Sequence, residues 1–286
     1  MRRPRWWQSR AVRGLYRHKL ALWGVTVLVA LVLIALLAPV VAGQDPYSSN
    51  LRLIRQPPQD GHLLGTDGAG RDVWARLIYG ARVSLSVGLV AVGIWATIGL
   101  VLGSIAGFYG GLVDSLLMRF TDIMLCFPTF LIILSVVTIV GPSIFNVMAV
   151  IGLFGWPEMA RLVRGQFLSL REQDFILAAR AVGVPNRRII ARHLVPNIIA
   201  PISVAVTLGL ASAILTEAGL SFLGVGVQMP TPSWGNTLFG ARSVSIIENN
   251  WWLWLPPGLL IAVTVLAINF VGDGLRAALD PRMRLD

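Results

Sequence analysis

This chain is short of the residues that staple secreted domains or equip most catalytic ones. It contains one cysteine, Cys126, which excludes an intrachain disulfide and, in its apolar surroundings, reads as a small buried hydrophobe. Its three histidines, His18, His62 and His193, are scattered without metal-ligand spacing. There is no H-E-x-x-H motif, and no Ser/His or paired-Asp constellation can be placed in facing segments, so an enzyme is disfavoured. Charge is scarce as well. Charged residues make up 13% of the 286 and hydrophobic ones 55%, with a mean hydropathy of +0.71. That balance excludes an ordinary soluble domain.

The charges that are present lean to one sign, 24 Lys+Arg against 14 Asp+Glu, for a net +10. In a soluble protein such an excess points to nucleic acid. Here the basic residues flank apolar runs, where membrane topology accounts for them, and no nucleic-acid partner is expected. Arg2, Arg3, Arg5, Arg10, Arg13, Arg17 and Lys19 lead into Leu20–Ala42, which has no charged side chain. A stretch of ~20 apolar residues spans a bilayer as a helix, and clustered Lys/Arg hold their flank on the cytoplasmic side. The run exceeds the ~7–15 residues of a signal-peptide core, which favours a retained span over a cleaved leader.

Five further apolar stretches follow, at about 83–107, 123–140, 144–160, 198–222 and 251–271. The expected architecture is an all-α membrane protein with six transmembrane helices and both termini cytoplasmic. Its parts are a basic segment 1–19, a first span with extracytoplasmic connector 20–82, and a five-span core 83–286. Gly99, Gly103 and Gly107 share one helical face and permit close helix contact. Trp251, Trp252 and Trp254 suit an interfacial belt. Pro256-Pro257 suits the first turn of the last helix. Residues 43–82 and 223–250 then fall outside, and 161–197 inside, where seven arginines face only Glu172 and Asp174. The longest polar segments, about 40 and about 35 residues, are too short for a soluble catalytic domain. Any chemical energy must come from another subunit.

The inner segment Asp174–Asn197 reads as a short helix, a Gly-Pro turn at Gly183 and Pro185, and a second helix stopped at Pro196. Such a compact basic element suits docking to a partner; a solvated topogenic loop is the alternative. Outside, Gly65-x-x-x-x-Gly70 precedes Arg71-Asp72 and not the Lys-Ser/Thr of a phosphate-binding loop. Asp67, Arg71 and Asp72 there suit a folded connector at the outer mouth, with metal or substrate contact second. Asp114, Asp122, Glu158 and Glu217 are costly in lipid and belong in the protein interior or an aqueous path. Glu217 reads first as an interhelical or loop-pairing charge and second as a path residue.

At this point the chain resembles a known family: the C-type permease subunit of bacterial binding-protein-dependent ABC importers of the dipeptide/oligopeptide/nickel branch. Ala178, Ala179, Gly183 and Pro196 match that family's EAA loop, with Leu177 in place of the usual Glu. The run from His62 to Arg82 is similar to the signature before the second span. Tyr109–Asp114, Glu217–Gly224, Pro232–Gly235 and Asp280-Pro281-Arg282 extend the likeness over nearly the whole chain. The resemblance implies a type I ABC importer permease fold in the bacterial inner membrane, working by alternating access. It implies a homologous permease partner, two cytoplasmic ATPase subunits that bind ATP and Mg, and an extracytoplasmic binding protein that delivers peptide. Ala178, Ala179, Gly183, Val184, Pro185, Arg187 and Pro196 are the expected ATPase-coupling residues. This chain itself is expected to hold no cofactor and to be no enzyme. A nickel or other small-solute permease, an intramembrane enzyme and a membrane-assembly protein are the alternatives.

Overall fold

The computed structural model describes residues 18–279, all α apart from turns and two isolated bridges. The basic cluster before His18 and the Asp280-Pro281-Arg282 motif lie outside the described residues. Helix α1 (Lys19–Leu36) is capped by the His18 side chain. Then come α2 (Val73–Tyr109), α3 (Gly111–Leu125), α4 (Thr129–Val140), α5 (Ile144–Leu170) and α6 (Asp174–Ala181). The last are α7 (Ile199–Phe222), α8 (Trp234–Phe239) and α9 (Leu255–Leu279).

Close glycine contacts give the direction of each long helix. Gly99 of α2 packs on Met159 of α5, Gly103 on Ala160 and Val163, and Gly107 on Phe167, so α2 and α5 run parallel. A Cβ at any of these three glycines would lie 2.5 Å from a neighbouring atom, which is why the stripe has no side chains. Gly88 meets Ile214 and Gly209 meets Trp95, which sets α7 antiparallel to α2. Gly272 meets Leu208 while Ile268 clusters with Ala211 and Ile214, and Gly24 meets Ala267 and Val271 while Ala35 clusters with Ile261, so α9 is antiparallel to both α7 and α1. The ends of α1 and α9 at Lys19 and Leu279 therefore share one face of the bundle with the 171–198 segment. The 43–72 connector and the 223–250 segment share the other.

Several boundaries differ from the expected ones. Among the described residues, four helices are long and apolar enough to cross a membrane, or five spans if the bent pair α3/α4 counts as one. The expected six is not reached because α5 carries Glu158, Arg161 and Arg164 and falls short in hydropathy. Helix α2 begins at Val73, ten residues before its apolar run, because Asp72 accepts from the Ala75 amide at 2.7 Å and caps it. The third stretch, expected at about 123–140, is bent and not straight. Pro128 separates two helices bent by 81°, and the first of them, α3, starts at Gly111, well before the expected start at about 123. Cys126, beside that break, is exposed and not buried.

Helix α5 passes through Trp156-Pro157 and continues to Leu170, so residues 161–170 are helix and not loop. Their arginines find acids on α3 that sequence separation hides. Arg164 pairs with Asp114 through both guanidinium and carboxylate edges, with Nη2–Oδ2 at 2.7 Å, and Arg161 pairs with Asp122. Of the three tryptophans, Trp252 is buried and donates to the Thr66 carbonyl at 3.3 Å, so it braces the connector. Regular helix resumes at Leu255, where the prolines placed it.

Candidate functional site

Three places collect the residues singled out by sequence. The first is a cap on the connector face. Thr66 and Asp72 form an antiparallel bridge, which Gly65 and Gly70 close with φ of +64° and +70°. A Cβ on Gly70 would lie 1.9 Å from the Asn50 carbonyl oxygen. Inside this turn Asp67 accepts from the Ala69 and Arg71 amides at 2.8 and 3.0 Å and from Arg71 Nε at 2.9 Å. Asp72 contacts His62 Nδ1 at 2.8 Å. Asp67, Arg71 and Asp72 are thus all buried and paired.

The residue that joins the cap to the rest is not one of those singled out by sequence, where it is simply part of the run from His62 to Arg82. Arg76 is wholly buried. It reaches Asp67 at 3.5 Å, the Pro230 carbonyl at 3.2 Å and Asn236 Oδ1 at 3.2 Å. Asn236 in turn accepts from the Ser233 amide and completes a capping box at the start of α8. The hint in sequence was an arginine three residues into an apolar helix; two of its partners, Pro230 and Asn236, lie more than 150 residues away. Arg82, one and a half turns further on, donates to the Ala35 and Leu36 carbonyls and closes the end of α1.

The second place is the 174–197 segment on the opposite face. Helix α6 ends in a left-handed cap: Gly183 has φ +76°, its amide bonds Arg180 O at 3.0 Å, and the Val184 amide bonds Ala179 O at 3.0 Å. Ala179 and Val184 pack together against the bundle core beside fully buried Ile176, Ile189 and Leu194. Arg180 stacks over Phe108 at 5.1 Å, tying the segment to the end of α2. Ala178, Gly183, Pro185, Arg187 and Pro196 are exposed. So are the apolar Phe175, Leu177 and Val182, the last at 79%. The second helix does not stop at Pro196. After Asn186–Ile189 the chain widens into a π turn over Ile190–Leu194 and carries on through Val195–Asn197. Proline lacks an amide hydrogen and its ring crowds the carbonyl four residues back; the wider turn accommodates both.

The third place is inside the bundle. Glu217 is wholly buried between α7 and α2. Its two oxygens accept from Ser84 at 3.0 Å and Ser221 at 2.8 Å. It does not line the cavity of about 640 Å³ that opens between α2, α4, α5 and α7. That cavity is walled by Trp95, Phe130, Phe154 and Met159, with Glu158 its one carboxylate. Among the described residues no group of three His, Cys, Asp or Glu could hold a metal ion.

Comparison with known proteins agrees with this arrangement. Residues 99–285 match the family model described as the binding-protein-dependent transport system inner membrane component. Residues 6–58 match the N-terminal TM domain of oligopeptide transport permease C. The chain is 44% identical over 274 residues to the dipeptide transport system permease protein DppC of Alkalihalophilus pseudofirmus, covering 96% of this chain and 90% of that one. It is 42% identical to a putative peptide transport system permease protein of Brucella abortus, covering 96% and 92%. A putative peptide permease protein of Brucella suis is 39% identical over 97% of this chain and 92% of its own length. The bundle and its two organised faces therefore belong to a member of the binding-protein-dependent transport system inner membrane component family.

Proposed function

We propose that this chain is the translocation subunit of an ATP-driven importer of dipeptides or oligopeptides in a bacterial inner membrane. It crosses six times, with α5 as the span that hydropathy misses. At 27 residues and ~1.5 Å per residue, α5 is about 40 Å long, enough to cross beside its parallel neighbour α2. Its arginines avoid lipid by pairing with α3. Both termini and the 174–197 segment face the cytoplasm; the cap built on Asp67, Arg71 and Asp72 faces outward, where a binding protein delivers substrate.

The observation that carries the reading is the 174–197 segment. It is anchored to the bundle by Ile176, Ile189 and Leu194, yet leaves Phe175, Leu177 and Val182 uncovered. In a chain similar to peptide permeases, those side chains suit a groove on an ATPase subunit. ATP and Mg bind to two such partners, whose closure pushes this segment. Because its buried residues pack on α2 and α5, the push biases the bundle, with its homologous permease partner, between outward-open and inward-open states. Co-expression with two ATPases, a second permease and the binding protein tests this. Copurification and ATP-dependent uptake of a labelled dipeptide are expected; complete complexes without uptake of any peptide would sink the reading.

A further inference from the structure

The structure sorts four acidic residues, three of which, Asp114, Asp122 and Glu158, sequence leaves unranked. Asp114 and Asp122 are neutralised by Arg164 and Arg161. Glu217 is enclosed between helices, its oxygens held by two serine hydroxyls. Glu158 differs on both counts. Among the described residues it has no hydrogen-bond or ion-pair partner, although Arg161 sits three residues on and within helical reach. Arg161 is already turned to Asp122 on another helix. Glu158 is also exposed, and it lines the cavity.

Its depth matters. Glu158 directly follows Pro157 and precedes Met159, which packs on Gly99 about two-thirds of the way along α2; Trp95, one turn earlier, lies against Gly209 at the middle of α7. A carboxylate at that level is costly unless it faces water or a cation. The cavity supplies the water-accessible space. Its volume, about 640 Å³, falls in the range of small-molecule sites. Its walls are mainly apolar, with the hydroxyls of Thr129 and Ser212 uncommitted and that of Thr216 donated to the Ser212 carbonyl. One negative charge, two available hydroxyls and an aromatic wall complement a molecule with one positive charge, amide groups and apolar side chains.

We propose that Glu158 is the cation-recognising group of this cavity and receives the protonated amino terminus of a peptide in transit. Thr129 and Ser212 face its amide groups, and Trp95, Phe130 and Phe154 its side chains. This rests on the import reading above and adds to it a substrate contact within the membrane.

Two measurements on the full complex test the proposal, using subunits in which Cys126 is replaced by Ser. In the first, Glu158→Gln is compared with Glu158→Asp for uptake of a dipeptide and its N-acetylated twin, with a binding protein that accepts both. Glu158→Gln should lower uptake of the free-amine peptide by about tenfold, the usual scale for one charge-assisted hydrogen bond, while the acetylated twin and complex abundance are unchanged and Glu158→Asp retains selectivity. Equal loss for both cargoes, or loss of assembly, overturns the proposal in favour of a cation supplied by the partner permease. Unchanged uptake of both overturns it as well. The second measurement does not depend on peptide transport. With Ser212→Cys as reporter, a cationic methanethiosulfonate should react faster than an anionic one by about tenfold more with Glu158 than with Glu158→Gln. If the unsubstituted complex imports neither peptide, the import reading fails. The thiol ratio then decides the proposal alone, and an equal ratio in the two variants overturns it.

Discussion

At the residue scale, Gly183 and Arg76 matter for opposite reasons. Gly183 touches nothing: a Cβ there would have no neighbour within 4 Å, and only its φ of +76° constrains it. Gly183→Ala should therefore cost about 1 kcal/mol through the left-handed backbone alone, and Gly183→Asn less, because Asn visits that region more readily. Gly183→Pro cannot adopt that φ and removes the amide that bonds Arg180 O. Expected in membranes are near-normal substrate-stimulated ATP hydrolysis for Gly183→Asn and loss of both hydrolysis and import for Gly183→Pro at equal subunit abundance. Arg76 is constrained on every side. Arg76→Ala strands Asp67, the Pro230 carbonyl and Asn236, and should destabilise the protein by roughly 3–5 kcal/mol. A fall in the thermal midpoint of the detergent-purified complex would register it.

At the element scale, the α2–α5 pair is the main strut of the bundle, joined by backbone contact along Gly99, Gly103 and Gly107. Lipid offers apolar surface as readily as another helix does, so this pair depends on close fit and not on expulsion of water. Gly103→Leu would drive a side chain into the Ala160 carbonyl, and the expected result is loss of the folded subunit from membranes. Gly93→Leu, at a glycine with nothing within 4 Å, should leave abundance unchanged. Immunoblotting of membranes after matched expression distinguishes them. The α2–α7 contact instead turns on a polar cluster, Ser84, Glu217 and Ser221. Glu217→Gln keeps acceptor oxygen but brings amide hydrogens into a site already filled by hydroxyl donors. It should lower abundance and reduce uptake of free-amine and N-acetylated peptides equally, the opposite of the pattern expected for Glu158→Gln.

At the scale of the whole molecule, the alternation of helix directions places Leu63 and Arg187 at opposite faces, both exposed. In a Cys126→Ser background, Leu63→Cys should label in intact cells with an impermeant thiol reagent, and Arg187→Cys only after the membrane is opened. Labelling of position 187 in intact cells would reverse the proposed orientation. The connector cap is a tertiary assembly in the same sense: the connector, the 227–236 segment and Trp252 meet there although they are distant in sequence.

What sequence alone determined follows from local chemistry. A bilayer demands long uncharged runs and helices with internally paired backbones, so the α architecture, the apolar segments and the likeness of the 174–197 segment to a coupling loop were legible from Leu20–Ala42 onward. The Gly183 turn was legible because a left-handed residue leaves a glycine in sequence, and the Gly99, Gly103, Gly107 stripe because close approach does the same. Tertiary structure decided what pairing governs. Arg161 and Arg164 read as loop residues until Asp122 and Asp114 were brought beside them, which turned a polar stretch into the end of a helix. Pro196 read as a stop because one residue cannot announce the π turn that absorbs it. Cys126 read as buried because its neighbours are apolar, whereas burial depends on what the break at Pro128 turns outward. Asp114, Asp122 and Glu158 looked alike in sequence. Only the fold, by supplying partners to the first two and a cavity to the third, separated Glu158 from the rest.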